Sequence, residues 1–253
     1  MMSEDKIAAA ARLLSEARTP GQALETFPTD LAPDDEAEAL AMHERVVTAR
    51  GPVVAWKVGA PTPAAEPGYG MIADATFSVG PTRIPAGALR LWAVEAEIAV
   101  TLGQDLPDRA EPYAQDEVLA AVKDWRAAIE VLDTAFVNWA STPGLWRLAD
   151  GMSHGALIVG PPCGLPSGAL ATLPVTLEIG GETIFAHEGG NTGGDPARLL
   201  TALANLRRGT ARPLRAGDVV TTGSATPFHR ASGGQAVRAY FDGLEAAELT
   251  IEP

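Results

Sequence analysis

Apolar positions recur at helical spacing twice near the start of the chain. Over residues 5–18 they are Ile7, Leu13 and Leu14; over 34–49 they are Leu40, Val46 and Val47. The second stretch opens on Asp34, Asp35 and Glu36 and stops at Gly51, acids suiting a helix start and glycine its end. From Val53 the period shortens to strand-like runs separated by glycine and proline: 53–58, 95–102, 127–132, 155–159, 173–179 and 219–222. Gly180-Gly181 and Asp242-Gly243 sit between alternating runs and predict hairpin turns. One more helix is marked by Asp195 as N-cap, Pro196 in its first turn, an apolar face of Leu199, Leu200, Leu203 and Leu206, and Gly209 as terminator. Another is expected from Gln115 to Lys123. Strands outnumber helices and do not alternate with them, which predicts an α+β domain built on a curled sheet and argues against a Rossmann fold or a TIM barrel. No internal repeat or linker divides the chain. The expected organisation is a helical N-terminal segment, 1–50, and one domain, 51–253.

Two of the predicted strands carry acids where burial is expected. In the run from Trp92 to Val100, Glu95 and Glu97 are two residues apart, so the strand period aims both at one face. The apolar neighbours Val94, Ile98 and Val100 read as an imperfect alternation. The run from Ala127 to Asp133 adds Glu130. Such acids are also what the solvated face of an edge strand carries, and the period alone does not separate the two readings. Three carboxylates among aliphatic neighbours drive one another's pKa upward unless something neutralises them, and a divalent cation does so economically. An all-oxygen set points to Mg²⁺ or Mn²⁺ over zinc. His43, His154, His187 and His229 show no ligand spacing.

Composition sharpens this. A chain of 253 residues, 46% hydrophobic, can bury a substantial core. Its net charge of −13 repels phosphate backbones and anionic lipid, so neither nucleic acid nor a membrane surface is an expected partner. An anionic substrate would need a local positive centre, which a cation supplies. The N-terminus lacks a signal-peptide pattern, no apolar stretch reaches membrane-spanning length, and the lone Cys163 can form no internal disulfide; the expected location is cytoplasmic.

Several short segments, in order, resemble the fumarylacetoacetate hydrolase family and, within it, the 2-keto-4-pentenoate hydratase and 4-oxalocrotonate decarboxylase branch. They are Trp56-Lys57-Val58-Gly59, Gly70-Met71-Ile72-Ala73-Asp74, Val94-Glu95-Ala96-Glu97-Ile98-Ala99 and Glu130-Val131-Leu132-Asp133, followed by Ala149-Asp150, Leu203-Ala204-Asn205, Leu214-Arg215-Ala216-Gly217-Asp218 and Thr222-Gly223-Ser224. The resemblance implies a mixed β roll, homo-oligomeric assembly and a small 2-oxo acid substrate. It also implies a Mg²⁺ or Mn²⁺ site at Glu95, Glu97 and Glu130, where the cation chelates the substrate's C1 carboxylate and C2 oxygen and stabilises enolate charge. Lys57 would act as a cation or proton donor with Asp74 as its acid/base partner. Ser153, His154 and Ser224 are expected along the substrate pocket. The implied activity is hydration of 2-hydroxypenta-2,4-dienoate, with decarboxylation or acylpyruvate-type C–C hydrolysis as alternatives on the same site. The chain departs from the family at Asp133-Thr134-Ala135, where Asp-Ser-Arg is usual, and Ala202 replaces a common tryptophan.

Three rivals stand beside this reading. Gly151-Met152-Ser153-His154-Gly155 matches the nucleophile elbow of a serine hydrolase, but the elbow needs a strand before the serine and a helix after it, and here a strand follows. The loop from Gly189 to Gly194 could present backbone N–H groups to an anion, although it has no P-loop lysine; a flexible loop ending in the Asp195 cap is the simpler account. A metal-binding partner subunit without turnover is the third.

Overall fold

The computed structural model describes residues 4–253. Two helices open it, α1 (Glu4–Ala17) and α2 (Glu36–Thr48). Asp35 caps α2 by accepting a hydrogen bond from the Glu38 N–H at 2.8 Å, which satisfies one donor that a helix start leaves open. Their buried faces rely on alanine: Ile7, Ala10, Ala11, Leu14 and Ala17 on α1, and Ala39, Met42, Val46 and Val47 beside His43 on α2. Leu13 and Leu40, expected on these faces, lie one position off each stripe and are half-buried. The small side chains let the helices approach closely.

The remaining elements are β1 (Val53–Gly59), β2 (Gly68–Ala73), β3 (Phe77–Val79), β4 (Thr82–Pro85), β5 (Ala93–Leu102), α3 (Gln115–Ala120), β6 (Val122–Leu132), α4 (Gly144–Ala149) and β7 (His154–Val159). They continue with β8 (Pro174–Ile179), β9 (Glu182–Glu188), α5 (Pro196–Arg207), β10 (Val219–Ser224), β11 (His229–Arg230), β12 (Ala236–Phe241) and β13 (Ala247–Glu252). Both predicted hairpins form, β8–β9 around Gly180-Gly181 and β12–β13 around Asp242-Gly243. Two expectations are corrected. The helix expected to reach Lys123 ends at Ala120, because Val122 pairs with Leu102 and Asp124 with Thr101, and sheet pairing overrides the local helical period. Leu206 on α5 is exposed: the buried stripe runs through Leu199, Leu200, Leu203, Ala204 and Arg207, and Leu206 falls outside it.

The larger sheet has the order β2-β1-β10-β5-β6-β7-β3, with β11 paired to β5; the smaller runs β4-β13-β12-β8-β9. The small sheet covers one face of the large one, burying Val94, Ala96, Ile98 and Val100 of β5 and Ile129 and Val131 of β6 against Leu177, Val237, Leu249 and Ile251. The other face of the large sheet carries Ala55, Ala99, Ala128 and Leu157 as a small apolar floor. The alternation along β5 is therefore clean, even positions towards the small sheet and odd positions away from it. α1 and α2 form a further core with Phe136, Trp146 and Ala149, packed beside that second face.

Candidate functional site

Register across four adjacent strands assembles the site on the second face. β1 runs parallel to β10 with Lys57 opposite Thr221; β10 runs antiparallel to β5; and Glu95 on β5 stands directly opposite Glu130 on β6. Like charges in that cross-strand position repel. Glu97 and Glu130 are buried, Glu95 is half-buried, and one carboxylate oxygen from each lies within 4.8 Å of the others.

Each acid is handled differently. Lys57 Nζ donates to Glu130 Oε1 at 2.6 Å and to the Met152 carbonyl at 3.1 Å. His154 Nδ1 lies 3.0 Å from the same Oε1, and its Nε2 lies 3.1 Å from Thr76 Oγ1. With Nδ1 as donor to the carboxylate, a neutral imidazole presents Nε2 as the acceptor. Burial pushes the Glu130 carboxyl up, but Lys57 and His154 outweigh it and hold the group at about 2. Glu97 is raised well above the ordinary range by burial and by the neighbouring Glu130, although the Thr221 hydroxyl donates to it. Burial and Glu130 likewise push Glu95 up to about 7. Burial works against the Lys57 ammonium, yet Glu130, Glu97 and Glu95 together raise its pKa above that of a free lysine. The three carboxylates thus outnumber the one ammonium among them, and the two raised acids mark the deficit of positive charge. A divalent cation fits this donor set: three converging carboxylates of formal charge −3, with no cysteine or histidine among the described residues that line the pocket.

Lys57, Glu95, Glu97 and Glu130 line a pocket of about 850 Å³. Met152, Pro227 and Phe228 give it apolar wall, and Gly190 and Thr192 form part of its edge. The loop expected to be flexible is tied down: Asn191 Nδ2 donates to the Thr222 and Gly223 carbonyls, and Thr192 Oγ1 to the Ala60 carbonyl. Gly190 has φ +123°, and a Cβ there would sit 2.4 Å from the Ala225 carbonyl oxygen, so the approach requires glycine.

The expected pocket residues separate. Ser224 lines the pocket, its hydroxyl donating to the Thr226 carbonyl at 2.5 Å. His154 stands behind Glu130, and Ser153 is buried with its Oγ accepting from Trp139 Nε1 at 2.8 Å. Asp74 is exposed on a short 3₁₀ turn and is absent from the pocket lining, so the expected pairing with Lys57 is not made; Glu130 is the partner. Gly151, Met152 and Ser153 all have positive φ, +80°, +54° and +63°. This left-handed turn, uncommon for the two non-glycine residues, brings the Met152 carbonyl to Lys57 and starts β7 at His154. It follows α4 and precedes a strand, the reverse of a nucleophile elbow. Beside Asp133-Thr134-Ala135, Arg90 Nη2 donates to the carbonyls of Thr134 and Phe136. Sequence reasoning missed Thr221, the Met152 carbonyl and Arg147, which also lines the pocket. None of these left a distinctive local sign: Thr221 lies in a strand that also carries Thr222 and Ser224.

A profile described as fumarylacetoacetate (FAA) hydrolase C-terminal matches residues 43–252. The chain belongs to the fumarylacetoacetate hydrolase family. It is 30% identical over 249 residues to 2-keto-4-pentenoate hydratase 1 of Dechloromonas aromatica (strain RCB), covering 93% of each chain. It is 28% identical to 2-keto-4-pentenoate hydratase of Burkholderia vietnamiensis (strain G4 / LMG 22486), covering 99% of each. Among solved structures, 4-oxalocrotonate decarboxylase from Pseudomonas putida G7, complexed with magnesium and adipate, superposes with a TM-score of 0.86 over 99% of each chain at 22% identity. That likeness shows the family's fold, a mixed β roll with a helical N-terminal segment, over the whole length. No helix among the described residues is long and apolar enough to cross a membrane.

Proposed function

We propose that this chain is a divalent-cation-dependent hydratase that adds water to 2-hydroxypenta-2,4-dienoate (2-keto-4-pentenoate) or a closely related small 2-oxo acid. The observation that carries the reading is the convergence of Glu95, Glu97 and Glu130 within 4.8 Å beside Lys57 in one pocket. The hydratase names of its relatives at 28–30% identity support the reaction. Glu95, Glu97 and Glu130 would hold Mg²⁺ or Mn²⁺, which supplies Lewis-acid polarisation of the substrate's oxo oxygen and charge for its carboxylate.

The chain's own groups do the rest. In the metal-free protein, burial works against the Lys57 ammonium, but Glu130, Glu97 and Glu95 outweigh it and raise its pKa. Two of its three N–H donors are spent on Glu130 and the Met152 carbonyl, which leaves one for the substrate. Conversion of the dienol to the C3=C4 enone needs a proton at C5, and addition of water at C4 needs one at C3. The Lys57 ammonium would give each of these protons and be restored by the proton released from the 2-hydroxyl group in the first step and from the attacking water in the second. Met152, Pro227 and Phe228 shield the diene portion from bulk water. The same reading includes homo-oligomeric assembly and a cytoplasmic location, consistent with the free Cys163.

The test is dialysis against EDTA, followed by assay of ketonisation and water addition on 2-hydroxypenta-2,4-dienoate with and without Mg²⁺ or Mn²⁺. Turnover is expected only with the metal restored. Full turnover in the stripped protein would sink the reading.

A further inference from the structure

Two contacts of the site start from the turn between α4 and β7: the Met152 carbonyl accepts from Lys57 Nζ at 3.1 Å, and His154 Nδ1 lies 3.0 Å from Glu130 Oε1. The turn holds an unfavourable backbone. Met152 and Ser153 lie at φ +54° and +63°, and successive non-glycine residues in the left-handed region persist only where surrounding contacts over-determine them. The contact that spans this turn comes from the other end of the chain. Arg18, the residue after α1, donates from Nη2 to the Asp150 carbonyl at 2.6 Å, where the turn starts, and from Nη1 to the His154 carbonyl at 2.6 Å, where β7 takes over. Its Nε donates to Asp150 Oδ1 at 2.9 Å, and the two side chains are only 6% and 2% exposed. Asp150 accepts at Oδ2 from the Thr134 hydroxyl and the Ala135 N–H, both at 2.8 Å, which ties the clamp to the loop after β6. A guanidinium holds its donors in a rigid planar fork, so one Arg18 side chain sets the separation of the two carbonyls.

We propose that Arg18 is a positioning residue: from the helical N-terminal segment it clamps the 150–154 turn, and through that turn it fixes Lys57 and His154 on Glu130. Arg18 itself is absent from the pocket lining. The proposal rests on the reading of Glu95, Glu97 and Glu130 as the ligands of a divalent cation. In the competing account Arg18 only fastens α1 to the rest of the chain. Its loss would then lower stability and leave the folded protein's metal affinity untouched.

Arg18→Gln and Arg18→Lys are compared with wild type and with Lys6→Met, which breaks the Lys6–Glu38 ion pair of the same helical segment away from the turn. Mn²⁺ affinity is measured by calorimetry on the metal-free proteins, and amide exchange is followed over residues 151–154, with β8 and β12 as reference. Arg18→Gln is expected to weaken Mn²⁺ binding about tenfold, the lower end of the loss when a group supporting a metal ligand is removed. Exchange should quicken in the turn and stay unchanged in β8 and β12. Arg18→Lys keeps the charge without the fork and should recover only part of the affinity. Lys6→Met should bind Mn²⁺ as wild type does. Wild-type affinity and turn protection in Arg18→Gln, or equal weakening in Lys6→Met, would overturn the proposal and leave the hydratase reading in place. If Arg18→Gln does not fold, Arg18→Lys carries the comparison, and wild-type values in it would overturn the role of the fork. Absence of Mn²⁺ binding by the wild type would overturn the metal reading, and the exchange rates would then decide whether Arg18 holds the turn.

Discussion

Lys57 holds its ammonium 2.6 Å from Oε1 of Glu130, a residue 73 positions away in sequence and three strands across the sheet. The pair is buried: Lys57 and His154 outweigh burial and hold Glu130 down at about 2, while burial and Glu130 push Glu95 up to about 7. One acid is therefore compensated within the protein, and two look outward for charge.

Removing Lys57 tests this directly. Lys57→Met leaves Glu130 buried with only the neutral His154 beside it. Breaking a buried pair on one side destabilises by about 3–5 kcal/mol. Urea unfolding of the metal-free variant is expected to show a loss on that scale, and turnover of the metal-loaded variant to fall by about 100-fold or more. Wild-type turnover in Lys57→Met would remove lysine from the chemistry.

The carboxylate cluster is tested by stability as well as activity. A ligand that binds only the folded protein stabilises it by about 2.7 kcal/mol at a hundred times its Kd. Mg²⁺ or Mn²⁺ should raise the wild-type Tm accordingly, and Glu95→Gln or Glu97→Gln, which keep shape and remove charge, should abolish the rise. An equal rise in these variants would show that the metal binds elsewhere.

His43 makes the docking of α2 pH-sensitive. Its Nε2 accepts from the Met71 N–H at 2.8 Å, its Nδ1 has no partner among the described residues, and burial lowers its pKa to about 3. Because the folded-state value lies below the 6.5 of a free imidazole, unfolding takes up a proton in acid. The stabilisation is complete above about pH 6.5 and declines as pH falls towards 3, by up to about 1.4 kcal/mol per unit. Urea midpoints for wild type and His43→Gln should converge as pH drops from 7 to 4.5. Parallel curves would show that His43 titrates normally.

Ser153 should not behave as a nucleophile. Its hydroxyl is buried and accepts from Trp139, and the turn that carries it leads into a strand. A fluorophosphonate is expected to leave it unlabelled. Ser153→Ala should lose about 1 kcal/mol of stability with the hydrogen bond, with little effect on turnover. Stoichiometric labelling would revive a hydrolase.

Much of this molecule follows from local pattern. The period of two placed Glu95 and Glu97 on one face, the doublets Gly180-Gly181 and Asp242-Gly243 marked two hairpins, and Asp195-Pro196 marked the start of α5. These features depend on neighbours a few residues apart, and backbone geometry makes them readable from spacing alone. The period did not say whether Glu95, Glu97 and Glu130 face solvent or the interior; the family resemblance favoured a metal site, and the structure buries Glu97 and Glu130 and half-buries Glu95. It was the family resemblance that nominated Lys57 and Asp74, and the structure kept only the first beside the acids.

What the pattern did not contain is which side chains meet. Lys57 reaches Glu130 only because β1 lies parallel to β10 and β10 antiparallel to β5, in one register out of several that the same hydrophobic alternation would allow. The left-handed turn at Gly151-Met152-Ser153 has no periodic signature, yet it aims a carbonyl at Lys57 and seats His154 behind Glu130. Arg147 reads in sequence as one more surface cation. The sequence alone determined the elements and the charges they carry; the tertiary structure decided their partners, because pairing between distant strands depends on packing over the whole sheet and not on the spacing of residues within any one of them.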